Sequence, residues 1–278
     1  MEKRKAGLVC CSNAVPWAAK AEVDSLVQTL EQHGVSAVLS ERIFSDTPWG
    51  HGNGRERART LMAFYEDPDI TEIYDISGGD IANEVLPYLD FGLIGASGKT
   101  IFGYSDLTVL LNAIYAKTGR EGVLWRARKL VRSRGKYQCG RFRDGTLFDF
   151  DYHFLQGSHM EGIVVGGNIR CFLKLAGTPY FPDLTGKLLL LEALGGEVPQ
   201  MITYISQLKQ LGAFNKISGI ILGTFTKMEQ EGCGVCIGEL IREAAPDLPV
   251  IKTAYIGHGP DSAAVRIGGF YRFGLPEK

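Results

Sequence analysis

Apolar positions along this chain follow two alternating rhythms. Residues 7–11 form a short apolar run of the buried-strand kind. Residues 18–33 instead place Val23, Leu26, Val27 and Leu30 on one helical face and stop at Gly34. The same reading predicts a second strand over 35–39, a helix over 55–65 and a third strand over 70–76. Gly78-Gly79-Asp80 predicts a tight turn into a helix over 81–89, followed by a strand over 100–103 and a helix over 107–116. Strands alternating with helices predict an α/β fold with a parallel sheet covered on both faces.

Residues 119–161 break this rhythm. They are rich in Arg, Gly and aromatic residues and show no clean period, which reads as a connecting, site-lining segment. A second region over 162–278 opens with Gly166-Gly167-Asn168. It predicts helices over 169–176, 201–211 and 237–244, and strands over 187–191, 217–222, 250–252 and 264–267. The division expected is therefore an N-terminal domain over 1–118, the connector over 119–161 and a C-terminal domain over 162–278.

Composition narrows the function classes. With 45% hydrophobic and 22% charged residues among 278, the chain has the make-up of a folded domain. Its formal net charge of -1 provides no global attraction for nucleic acid or a membrane surface. No apolar run approaches the roughly 20 residues that cross a bilayer. The basic start, Lys3-Arg4-Lys5, precedes an apolar run too short for a signal peptide, so the expected location is the cytoplasm. Cys233-Gly-Val-Cys236 is the one C-x-x-C among six cysteines. It lacks a second ligand pair at zinc-site spacing, so reduced thiols and no metal are expected.

Several segments carry candidate chemistry. Ile101-Phe102-Gly103-Tyr104-Ser105-Asp106 runs an apolar strand into a turn from which a helix starts at once. A serine there sits at the strand's carboxyl edge, with backbone N–H groups aimed at any oxyanion forming beside it. The ordinary alternative is a helix cap, since Ser followed by Asp suits a first turn. Gly95-Ala96-Ser97-Gly98-Lys99-Thr100 imitates a phosphate loop, but Leu93 stands where the first glycine belongs and a strand follows. Leu188-Leu189-Leu190-Leu191-Glu192 ends an apolar strand with a carboxylate that needs a partner, and Glu197 is a rival in a glycine-rich loop. His258 lies among Gly257, Gly259 and Pro260, a loop setting that His33, His51, His153 and His159 lack.

Taken together, these pieces resemble the LD-carboxypeptidase family, including its microcin C self-immunity branch. The matching segments are Gly78-Gly79-Asp80, Leu86-Pro87-Tyr88-Leu89-Asp90, Gly103 to Thr108, Gly166-Gly167-Asn168, Gly177-Thr178-Pro179-Tyr180, Gly186-Lys187 to Glu192, Gln207-Leu208 with Gly212 and Phe214, and Gly257-His258-Gly259. They lie in family order along nearly the whole chain. The resemblance implies a flavodoxin-like N-terminal sandwich, a smaller C-terminal β-rich domain, a site between them and a homodimer. It implies a catalytic triad of Ser105, Glu192 and His258, which would hydrolyse an amide by acyl transfer without metal or organic cofactor. Backbone N–H groups of Gly79 and Asp106 would form the oxyanion hole, and Asp80 and Asn168 join the substrate-binding candidates. The expected partner is a short peptide or peptide conjugate, not nucleic acid or membrane; a catalytically silent relative that binds a peptide is the alternative.

Two segments depart from the family pattern. Val123-Leu124-Trp125-Arg126-Ala127-Arg128 stands where the family has His-Gly-Pro, and Arg266 replaces a proline downstream of the histidine. Residues 120–143 also carry nine basic side chains (Arg120, Arg126, Arg128, Lys129, Arg132, Arg134, Lys136, Arg141 and Arg143) against the single acid Glu121. The sharper reading of this stretch puts Trp125 against the substrate, with Arg126 or Arg128 holding its carboxylate or phosphate. The plainer reading is a solvated basic surface.

Overall fold

The rhythm of the first region closes into a parallel sheet, as a computed structural model describing residues 4–274 shows. Strands β1 (Arg4–Val9), β2 (Val35–Leu39), β3 (Glu72–Asp75), β4 (Thr100–Gly103) and β5 (Gly122–Leu124) lie in the order β2-β1-β3-β4-β5, all parallel. This is the flavodoxin-like order, and its switch point falls between β1 and β3. The later strands are β6 (His153–Gln156), β7 (His159–Asn168), β8 (Leu188–Ala193), β9 (Gly219–Phe225), β10 (Val250–Lys252), β11 (Val265–Ile267) and β12 (Phe270–Gly274). Six of them form a second, mixed sheet in the order β12-β7-β8-β9-β10-β6, parallel from β7 to β10 and antiparallel at both edges.

The two regions interlock. Strand β11, late in the chain, returns to the first sheet and pairs antiparallel with β5, so Val265 lies opposite Leu124. The helix Thr108–Thr118 runs between the sheets, and its residues 108–114 are all buried. Such a helix has no polar face to show, which fits a stretch that is apolar but for Thr108 and Asn112. The helix Lys20–Gln32, by contrast, lies on an outer face and buries only Val23, Leu26 and Leu30.

Some expectations needed correcting. The turn after Gly79 leads into a 3-10 segment, Ala82–Tyr88, not an α-helix. Pro87 lacks the N–H that an α-helix would use there, and the Ala82 N–H is taken by the Asp106 carboxylate at 2.8 Å. The aperiodic stretch 119–161 holds β5, β6, the start of β7 and a helix, Gly135–Asp144. That helix buries Gln138 and Arg141 rather than an apolar stripe, so no helical period marks it.

Two polar clamps fix the central helix to the second sheet. Asn112 Nδ2 donates to the Gly166 carbonyl at 2.8 Å, while its Oδ1 accepts the Gly166 N–H at 2.8 Å. One turn earlier, Thr108 Oγ1 accepts the Asn168 N–H at 3.0 Å. Gly166 and Gly167 have φ of 101° and 134°, and a Cβ on Gly167 would lie 2.7 Å from Thr108 Oγ1, so glycine lets the strand end approach the helix. Replacing Asn112 by Ala strands two buried backbone groups. Asn112→Ala is expected to lower the unfolding free energy by about 2–4 kcal/mol with an unchanged urea m-value; a loss below about 1 kcal/mol would show that the clamp contributes little.

Candidate active site

Strand β4 delivers Ser105 into a strained turn. Tyr104 is still extended (φ -143°, ψ 163°), and Ser105 then takes φ 58°, the one non-glycine residue in the left-handed region among the described residues. A serine there costs about 1–3 kcal/mol and persists only where its surroundings impose it. A 3-10 turn, Ser105–Leu107, leads directly into the helix Thr108–Thr118. Gly103 permits this reversal, because a Cβ at that position would lie 2.6 Å from the Leu107 Cβ. Strand, strained serine and immediate helix make a nucleophile elbow without the second glycine of the usual motif.

Asp106 holds the elbow from below. Its fully buried carboxylate accepts from Ser12 Oγ (2.7 Å), the Ala82 N–H (2.8 Å) and Lys174 Nζ (2.6 Å), tying the loop after β1, the Gly-Gly turn and the second region to one group. The expectation for Asp106 concerned its backbone N–H, which belongs to the first, acceptor-free turn of the helix. Gly79 takes φ 139°, and a Cβ on it would run into the Asn13 side chain, whose Oδ1 accepts the Asp80 N–H at 3.1 Å. Above this turn, Asp75 receives the N–H groups of Cys11 and Ser77. Burial raises its carboxyl above the usual range, opposed by those hydrogen bonds.

Glu192 and His258 meet beside the cavity that Ser105 lines. Glu192 is fully buried at the end of β8 and its two oxygens are shared among three donors. Asn168 Nδ2 donates to Oε1 at 3.0 Å and Tyr104 Oη to Oε2 at 3.2 Å, while His258 Nδ1 lies 2.8 Å from Oε2. A carboxylate accepting at Nδ1 places the ring proton there and leaves the lone pair on Nε2. That Nε2 is buried and has no hydrogen-bond partner among the described residues. Ser105 and His258 both line a cavity of about 440 Å³, to which Gly79, Asp80, Arg126 and Asn168 also contribute. Glu197 lies on the surface paired with Lys227 Nζ at 2.6 Å, so the rival carboxylate has a different partner.

The basic segment proves heterogeneous. Trp125 is 1% exposed, stacked on Phe142 with ring centroids 5.9 Å apart and edge-on to Phe102; it is a core residue and faces no substrate. Arg128 is likewise turned away from the cavity, since its guanidinium forms a two-point pair with Glu22 at 2.8 and 3.0 Å. Burial opposes that charge on Glu22, but Arg128 and Arg132 outweigh it and hold the carboxyl at about 2. Arg126 does reach the cavity, and its Nε is buried with no partner among the described residues. Burial, then repulsion from Arg132 and Arg128, lowers it to about 10.

The other two substrate-binding candidates border the cavity but are engaged. Asp80 pairs with Arg170 and, at 3.4 Å, with Lys174. The Asn168 side chain is spent on Glu192 and on the N–H of Cys171, so it positions the carboxylate rather than a substrate. Lys129 was not among the sequence-based site candidates. Its Nζ donates to the carbonyls of Gly257 (3.4 Å) and Gly259 (2.7 Å) and contacts Ser262 Oγ, gripping the chain on both sides of His258. Only its membership of a basic run marked it. Tyr104, lodged between Gly103 and Ser105, carried no signal beyond its place in the elbow.

A parallel α/β sheet whose strained serine shares a cavity with a histidine held by a buried carboxylate has the parts that a serine hydrolase needs. The LD-carboxypeptidase N-terminal domain model matches residues 6–124 and the LD-carboxypeptidase C-terminal domain model matches residues 161–273, and the chain belongs to this family of serine peptidases. It is 29% identical to the microcin C7 self-immunity protein MccF of Escherichia coli, over 71% of this chain and 68% of that protein. It is 25% identical to the murein tetrapeptide carboxypeptidase of Pseudomonas aeruginosa, over 87% and 85% of the two chains. An MccF-like protein from Bacillus anthracis superposes with a TM-score of 0.87 at 23% identity, covering 100% of this chain and 95% of that one, which shows a shared fold.

The two glutamates can be told apart in solution. Glu192→Gln is expected to lower kcat by roughly two orders of magnitude or more by removing the charge that supports the imidazolium. Glu197→Gln is expected to stay within about twofold of the parent. Steady-state kinetics on both variants decides, and the opposite order would reassign the acid.

Proposed function

We propose that this chain hydrolyses an amide bond next to a free carboxylate in a short peptide or peptide conjugate, with Ser105 as nucleophile, His258 as general base and Glu192 as its orienting acid. The observation that carries this reading is the left-handed Ser105 at the rim of the cavity into which the Glu192-held His258 also opens. His258 Nε2 takes the Ser105 proton as Oγ attacks the scissile carbonyl. The negative charge developing on that oxygen is met by the N–H groups of Gly79 and Asp106. The protonated imidazole, stabilised by Glu192, then gives its proton to the leaving amine, and water releases the acyl group by the same steps in reverse.

Arg126 supplies the selection for a free terminus. A buried guanidinium with an unsatisfied Nε favours a substrate carboxylate, which restores both its charge balance and its hydrogen bonding. The names of the relatives, a microcin C7 self-immunity protein and a murein tetrapeptide carboxypeptidase, agree with small peptide-like substrates. Arg126 lies where the family resemblance would place His-Gly-Pro, so the pocket need not prefer either. A homodimer, implied by the family resemblance, and a cytoplasmic location, expected from the chain's apolar pattern, belong to the same reading; no helix among the described residues is long and apolar enough to cross a membrane.

Hydrolysis of a panel of short L,D-linked peptides and aminoacyl conjugates, each with a free or an amidated terminus, tests this reading. Ser105→Ala is expected to lose roughly 10⁴- to 10⁶-fold in rate while remaining folded. Arg126→Ala is expected to lose about 2–4 kcal/mol in kcat/KM on free-carboxylate substrates and little on amidated ones. Undiminished turnover by the serine variant, or equal losses on both substrate sets for the arginine variant, would overturn the respective assignment.

A further inference from the structure

All six cysteines of the chain are free thiols. Cys10, Cys11 and Cys171 are fully buried, where a thiol acts as a small apolar group. Cys139 is half-buried and donates to the Leu130 carbonyl at 3.5 Å. Cys233 and Cys236 differ from these in coming as a pair, and the hydrolase site does not use them. Both are half-buried at the edge of the apolar layer that covers the second sheet.

Local geometry brings the pair together. Cys233 stands immediately before the helix Gly234–Ala244, and the Cys236 N–H donates to the Cys233 carbonyl at 3.0 Å. Such a turn keeps the two Cα atoms within about 7 Å, a separation that a disulfide spans. The pair is also asymmetric. Partial burial, then the charge and hydrogen bond of the Cys233 sulfur, raise the Cys236 thiol above its usual range. A thiol held protonated attacks poorly at first, but it is well placed to act second, once its neighbour has reacted. Space for a reactant lies alongside. Gly232 and Ile237, which flank the pair in sequence, both wall a chamber of about 490 Å³, together with Leu155 and Gly238. This chamber shares no lining residue with the cavity at Ser105.

We propose that Cys233 and Cys236 form a thiol–disulfide exchange site for low-molecular-weight disulfides. The Cys233 thiolate attacks one sulfur of the small disulfide. A bond to Cys233 Sγ forms, the S–S bond of the small molecule breaks, and one half leaves as a thiolate. Cys236 then loses its proton to solvent, attacks Cys233 Sγ and closes the Cys233–Cys236 bond, expelling the other half. The chain gives up two electrons and the small disulfide takes them. The two protons shed by the cysteines pass through solvent to the two released thiols. An excess of a small dithiol runs the exchange backwards. No step uses Ser105, so the site stands or falls independently of the hydrolase reading.

Trypsin places both cysteines in one peptide, 228–242, because Lys227 precedes it and Arg242 ends it. The test treats the native chain with oxidised mercaptoethanol, blocks the remaining thiols with iodoacetamide and weighs the tryptic peptides by mass spectrometry. Peptide 228–242 is expected to be two hydrogens lighter than its reduced form, with neither blocking groups nor an adduct. Dithiothreitol added before blocking is expected to restore both thiols. Cys139 is expected to stay fully open to blocking over the same time. Cys236→Ser is expected to retain a mercaptoethanol adduct on Cys233, whereas Cys233→Ser is expected to react at least roughly tenfold more slowly. A native peptide that keeps two free thiols, one that carries adducts without closing the ring, or Cys139 reacting as fast as the pair would each overturn the site. Equal rates of adduct formation in the two serine variants would overturn the order of attack.

Discussion

A fully buried carboxylate dictates much of this architecture. Removing the Glu192 carboxylate from water costs several kcal/mol unless donors replace the lost hydration. Here the donors come from separate places in the chain: Tyr104 from the elbow after β4, Asn168 from the end of β7 and His258 from the loop after β10. Tyr104 belongs to the first sheet and the others to the second region. The charge is therefore satisfied only when the two sheets are docked, and the docking that satisfies it also aims His258 into the cavity bordered by Ser105. Asn112 and Thr108 on the helix behind the serine, and the Lys174–Asp106 pair below it, hold the seam in register.

The basic stretch resolves into separate tasks. Arg128 and Arg132 share Glu22, which fastens the segment to the helix Lys20–Gln32. Arg141 donates to the carbonyls of Thr146 and Leu147 and holds the turn that follows its helix. Arg143 pairs with its neighbour Asp144 in full solvent exposure. Lys129 braces the His258 loop, leaving Arg126 as the cation with an open donor at the cavity. A local surplus of charge thus says little until each side chain's partner is known, because the basic side chains here act as a tether, a clasp on a turn, a brace and a candidate anchor.

The parallel sheet was legible in the sequence because apolar runs of four to six residues between amphipathic helices have few other uses. The same is true of the elbow, where an apolar strand, a glycine two residues before the serine and an immediate helix are all local signals. Glu192 could be singled out as an acid closing an apolar run, but its three donors could not, since each lies more than twenty residues away. The resemblance in Gly103 to Thr108 and Gly257-His258-Gly259 supplied what local pattern did not. The failures have a physical cause as well. Trp125 looks like a pocket residue in a polar neighbourhood, yet it packs into the core between Phe102 and Phe142. Arg128 and Arg126 are equivalent in sequence, and only the position of Glu22 separates them.

The central claim is that His258, held by the buried Glu192, activates Ser105. The rate of covalent modification by a small neutral fluorophosphonate, with the modified residue located by peptide mass spectrometry, measures that activation without knowledge of the substrate. The label is expected on Ser105, at a rate falling roughly 10²-fold or more in His258→Ala. Labelling at another residue, or a rate indifferent to the loss of the imidazole, would contradict the account.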